Sequence, residues 1–173
     1  MAWLESEKKV VRRENRIGLP AETARFDERR ARLVAEIERI MRDGKYATPR
    51  PDELPQLLSA PAAEVESLLE YLCLSGALVR LGKNVVFHSH WMAEAERLVV
   101  DCIERNGVLD SADFKNMIHS SRKYALALLD YFDAVHVTSR VGNLRRLHPA
   151  YLRKRGEIGS RRDAEDAEKE AEF

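Results

Sequence analysis

The chain repeats itself, and the repeat restricts what it can fold into more than any single motif does. Leu68-Leu69-Glu70-Tyr71-Leu72 returns as Leu128-Leu129-Asp130-Tyr131-Phe132 at an offset of 60 residues. With no gap, Arg80 then falls on Arg140, Gly82 on Gly142 and His88 on His148. A third, partial copy opens the chain, where Val10-Val11-Arg12 matches Leu78-Val79-Arg80 at an offset of 68 and Trp3 matches Tyr71.

Each copy carries one physical pattern: an amphipathic helix, a short turn, and two short apolar runs around a tight polar turn. The first full copy predicts a helix over Pro61–Leu74 with the stripe Val65, Leu68, Leu69 and Leu72. Gly76 ends it, and strands at 78–81 and 85–87 flank Gly82-Lys83-Asn84. In the second, Ser120 or Ser121 caps a helix with the stripe Tyr124, Ala125, Leu128, Leu129 and Phe132. Strands at 135–139 and 144–147 flank Gly142-Asn143. Two further helices precede each hairpin, at about 24–43 and 52–58, then 91–106 and 111–118. Three helices followed by a β-hairpin make a winged helix, a helix-turn-helix with a strand wing. The expected class is mainly α with small β-hairpins (α+β), in tandem winged helices. Residues 1–20 read as the helix end and wing of a preceding winged helix, as if the chain were cut from a longer protein, because a lone hairpin cannot bury a core. Residues 21–92 form one winged helix and residues 93–155 the next. Residues 156–173, poor in apolar side chains and rich in alternating charge, are expected to be a disordered acidic tail.

Net charge over the 173 residues is zero, which conceals a strong asymmetry. From Lys115 to Arg155 nine basic residues face only Asp130 and Asp133, a net +7, whereas residues 156–173 carry −4. A basic module followed by an acidic segment points to a nucleic-acid partner for the module. No apolar stretch is long enough to cross a bilayer, and the first ten residues lack the apolar core of a signal peptide. Cys73 and Cys102 have no disulfide or metal spacing and read as reduced core residues, so a cytoplasmic monomer is expected.

The chemistry concentrates in two places. Ser120-Ser121-Arg122-Lys123-Tyr124 opens the last long helix. A helix start offers unpaired N–H groups and positive dipole charge, so two cations there oppose the isolated helix and imply an anionic partner. Arg140, Arg145 and Arg146 surround the Gly142-Asn143 turn of the wing. In this fold the wing and the third helix lie near one edge, and five cations are expected to converge there on a phosphate backbone. Tyr124 and Tyr131 read as packing. His88 and His90 have no further ligands nearby, and His119 beside two serines has no orienting acid, so neither metal site nor nucleophile is expected. No phosphate-binding Gly-Lys-Ser/Thr loop is present, and no catalytic residue or cofactor is expected in this chain.

The run Asp113-Phe114-Lys115, Ser121-Arg122-Lys123-Tyr124-Ala125, Leu128 to Asp133, and Thr138 to Leu147 closely resembles the last winged helix of bacterial selenocysteine-specific elongation factors (SelB type). The resemblance is strongest over 108–147 and weaker over 21–92, which look like the penultimate winged helix. It implies that the last module holds an mRNA hairpin, the selenocysteine insertion element, beside a UGA codon. The ribosome and selenocysteyl-tRNA would be engaged through the full-length protein, whose GTP-binding part is absent here. The RNA-contact set it implies is Ser121, Arg122, Lys123, Arg140, Gly142, Asn143, Arg145 and Arg146, and the adjoining Lys115 and Ser120 are expected to join it.

Two other functions compete. A DNA-binding regulator would insert the third helix into a major groove, but beyond Lys123 that helix offers Ala127 and Asp130 and no second row of base-reading side chains. A protein-interaction scaffold suits 21–92 better, because its matching helix start, Pro61-Ala62-Ala63-Glu64, is neutral to acidic.

Overall fold

The computed structural model describes the backbone of residues 11–13, 16–18, 20–82 and 84–155, with side chains from Glu28 onward. Trp3, Val10 and the expected acidic tail lie outside the described residues. Of the opening copy, strands β1 (Val11–Arg13) and β2 (Arg16–Gly18) pair antiparallel.

Helices α1 (Pro20–Asp43), α2 (Leu54–Leu57) and α3 (Ala62–Leu74), then strands β3 (Leu78–Arg80) and β4 (Val86–His88), make the first winged helix. Its core is Ile37, Met41, Leu54, Val65, Leu68, Leu69, Leu72, Leu78 and Val86. The predicted stripe of α3 is the buried one. Pro61 stands just before the helix rather than in its first turn. Helix α4 (Ser89–Asn106) begins directly at the end of β4, so the module boundary expected at 92/93 falls inside a continuous helix. Strand β5 (Leu109–Asp110), helices α5 (Ser111–Met117) and α6 (Arg122–Ala134), strands β6 (Thr138–Val141) and β7 (Leu144–Leu147), and a terminal helix α7 (149–155) complete the second. Helix α6 runs to Ala134 and His136 turns left-handed (φ 61°), so β6 starts at Thr138 rather than in the expected 135–139 run.

The backbone repeats as the sequence does. Positive φ occurs at Ser59 and His119, at Gly76 and His136, and at Gly82 and Gly142, three pairs each 60 residues apart. The wings differ in one respect. Leu78 pairs with His88, but Thr138 pairs with Leu147, so the returning strand is slipped by one residue. The cause is the turn. Gly142-Asn143 is a two-residue turn with positive φ at its first position, where glycine costs nothing, whereas residues 81–85 make a longer connection. Structurally, then, Arg145 corresponds to Val86 and Arg146 to Phe87. The sheets also differ. β5 joins β7 to give three strands, order β5-β7-β6. In the first module Pro49 and Pro51 cannot donate to a ladder, and the Thr48 hydroxyl instead donates to the Val86 carbonyl at 2.9 Å.

The two modules share a core. Tyr46, Val85 and Phe87 of the first are buried with Met92, Ala95, Val99, Phe114, Leu128 and Phe132 around α4 and α6.

Candidate nucleic-acid interface

The start of α6 is built by local chemistry. Ser121 has extended backbone, and its Oγ accepts the Tyr124 N–H at 3.4 Å, capping the helix. Arg122 and Lys123 follow, both exposed. Arg122 makes no ion pair among the described residues. Lys123 lies with Nζ 5.4 Å from the Tyr124 ring centre. Its charge also reaches Glu53, whose carboxyl is held below the usual range first by the Arg50 backbone N–H. In the sister module these positions are Ala62 and Ala63. The cations are therefore not needed by the fold; they are what the second module adds to it.

The first module walls one side of this helix mouth. The Tyr124 hydroxyl donates to the Thr48 carbonyl at 2.7 Å, and the Ser120 hydroxyl donates to the Tyr46 carbonyl. Phe87 meets Tyr124 edge-on at 5.7 Å, and Tyr46 meets both Phe87 and Trp91. Trp91 Nε1 donates to the Arg42 carbonyl at 2.6 Å. Burial pushes the Tyr46 hydroxyl up to about 12, with Glu94 adding. Tyr124 is a packing residue, as expected. Ser120 is corrected: its hydroxyl is committed to the module junction and is not presented to a ligand.

The wing is sorted by register. Directly opposed residues share a face, and faces alternate along each strand. Thr138, Arg140, Arg145 and Leu147 therefore share the inner face toward α6, while Ser139, Val141, Leu144 and Arg146 share the outer face. Arg145 is 1% exposed, which removes it from the contact set. Its Nη2 donates to Asp130 at 3.0 Å and its Nε to Asp133 at 3.3 Å, while the Thr138 hydroxyl donates to Asp133 at 2.5 Å. A buried guanidinium must find carboxylates, and α6 supplies two. Arg140 is exposed, its Nε donating to the Gly142 carbonyl at 2.9 Å. In the sister wing Arg80 is instead held by Glu66 at 2.8 Å, and the position matching Glu66 is Leu126. The repeat thus sets Arg140 against the α6 flank at Leu126, one turn from Arg122, without the acid that neutralises its counterpart. Arg146 is exposed on the opposite face of the wing, so the five cations do not gather on one surface. Gly142 and Asn143 form the exposed tip, and Lys115 is half-exposed in the last turn of α5. Sequence reasoning missed the exposed aliphatic pair Val141 and Leu144 beside that tip.

Residues 101–147 match the family described as "Elongation factor SelB, winged helix". The chain is similar to the selenocysteine-specific elongation factor of Desulfomicrobium baculatum, 26% identical over 86 residues, which is 50% of this chain and 14% of that protein. The chain thus spans a small fraction of that relative's length. Among solved structures it is similar to the mRNA-binding domain of elongation factor SelB from E. coli in complex with SECIS RNA (TM-score 0.54, 22% identity, 57% of this chain and 81% of that one). It is also similar to a bacterial selenocysteine-specific elongation factor EF-Sec (TM-score 0.56, 19% identity, 83% and 22%). These two likenesses establish the fold.

Proposed function

We propose, from the match of residues 101–147 to the winged-helix family of elongation factor SelB, that the last module of this chain holds a stem-loop in messenger RNA. One observation carries the reading. Where the first module has Ala62, Ala63 and a Glu66-bound Arg80, the second has Arg122, Lys123 and an Arg140 that no carboxylate among the described residues holds. The same scaffold has been given cations at one helix mouth and the adjoining wing face. The E. coli relative was solved bound to SECIS RNA, so the anionic partner is a selenocysteine insertion hairpin. The contact set is Ser121, Arg122, Lys123 and Arg140, with Lys115, Gly142 and Asn143 at its margins and Arg146 on the far side of the wing. This chain's part is recognition and not catalysis. Delivery of selenocysteyl-tRNA to the ribosome, with GTP, belongs to the longer cytoplasmic factor of which such a module is a part.

The first module serves as a spacer. Its helix start is neutral to acidic, and Glu64 and Glu66 hold Arg29 and Arg80.

The test is binding of hairpins from UGA-containing selenoprotein messages of the same host, at two salt concentrations. R122A/K123A is expected to weaken binding at least tenfold and to lower the salt slope by about two, one per lost phosphate contact. Both side chains are exposed, so melting should change by less than about 0.5 kcal/mol. Undiminished affinity in that variant refutes the reading.

A further inference from the structure

The two wings share a backbone, and what lies on their outer faces differs. In the first module the outer face is Val79, Leu81, Val85 and Phe87, and it is covered by the core of the second. The corresponding residues of the second wing are Ser139, Val141, Leu144 and Arg146. No described element covers them. Val141 is 56% exposed and Leu144 38%, an aliphatic cross-strand pair directly beside the Gly142-Asn143 tip. Arg146 stands where Phe87 stands in the sister wing, and it makes no ion pair among the described residues. An apolar protein surface like the one on the first wing would seal that guanidinium away from water without a partner, at high cost. The face suits a ligand that is flat and apolar at one end and anionic at the other. An unstacked nucleotide is such a ligand: its base can lie on an aliphatic pair while its phosphate meets the cation, two strand residues or about 7 Å away.

We infer that the outer face of the last wing takes one splayed nucleotide of the hairpin, its base on Val141 and Leu144 and its phosphate on Arg146, so that the wing is gripped from both sides. The inference rests on the proposed RNA-binding function and adds where loop or bulge identity is read. The inner-face set around Arg122 and Arg140 meets the stem backbone, which carries little sequence information, while a base seated on the outer face does carry it.

The experiment uses the full chain and a host selenoprotein hairpin, intact or with one loop or bulge base at a time replaced by an abasic site. V141S/L144S is expected to bind the intact hairpin about tenfold more weakly, in line with the loss of one base contact. One abasic hairpin should weaken the parent by a similar factor and the variant no further. R146A should lower the salt slope by about one. The second variant V141T/L144N, whose side chains nearly keep the shape of the originals, serves should the first alter melting. Parent-like affinity in both wing-tip variants, or equal loss on every abasic hairpin in parent and variant, overturns the inference. R122A/K123A in the same series separates the two claims. Loss there with none at the wing tip removes only the outer-face site; no loss there removes the RNA-binding reading itself. Tip variants that bind RNA normally but lose a protein partner would assign the face to protein instead.

Discussion

At the scale of single residues, Arg145 shows how a charge becomes structural. Its sequence setting, Leu144-Arg145-Arg146, does not distinguish it from its neighbour. The distinction lies in strand alternation and in two aspartates on α6, with Asp133 at the position occupied by Cys73 in the sister helix. The sister module solves the same packing problem with Cys73, Leu78 and Val86. R145A is expected to cost roughly 2–4 kcal/mol, because the largely buried Asp133 loses the cation that balances it and a cavity replaces the guanidinium. Replacing the whole network by D133C/T138L/R145V should recover most of that loss, measured by chemical denaturation of each variant. A triple variant no more stable than R145A would show that the network has no apolar equivalent here. RNA affinity, measured under folding conditions, should be far less sensitive to these changes than to R122A/K123A.

At the scale of elements, the repeat made the helices and wings legible, because stripes at helical spacing and paired turns recur at a constant offset. What stayed hidden was the one-residue slip between β4 and β7. That slip is set by turn length, and it exchanges the faces of every side chain on the strand. Five cations could not converge because Arg145 and Arg146 are neighbours on one strand and face opposite ways, the slip deciding only which of them is buried, and Ser120 was misread because its partner lies 74 residues away. The histidines matched by the repeat have a shared role that metal and nucleophile arguments overlook. His88 Nδ1 accepts the His90 N–H at 3.1 Å, and His148 Nδ1 accepts the Ala150 N–H at 3.1 Å, each opening a helix. Burial, with Arg42 adding, holds the His88 imidazole below its usual range. A cap that accepts through Nδ1 needs the neutral ring, so the unfolded chain binds this proton more readily than the folded one. The resulting stability is present above the ordinary imidazole range, near pH 6.5, and is lost as pH falls through the lower folded value. Between about pH 7.5 and 5.5 the parent should lose more melting temperature than H88N, whose amide can cap without titrating. Equal losses would place the pH dependence elsewhere.

At the scale of the whole molecule, the two winged helices are joined by more than α4. The turn after α1 bonds to the mouth of α6 through Ser120 and Tyr124, and Tyr46, Phe87, Trp91 and Tyr124 interlock edge to face. One cooperative melting transition is expected for the parent. F87A removes the ring at the centre of the joint and should cost about 3–5 kcal/mol or split the transition in two. Calorimetry checks this, and a single unshifted peak would contradict it. The same joint bears on mechanics. The helix that carries Arg122 and Lys123 is bolted to the arm that precedes it, so a pull on a seated hairpin runs straight into α1 instead of being absorbed by a swivel. On the proposed function, a messenger held at one end of such an arm keeps its bearing at the other.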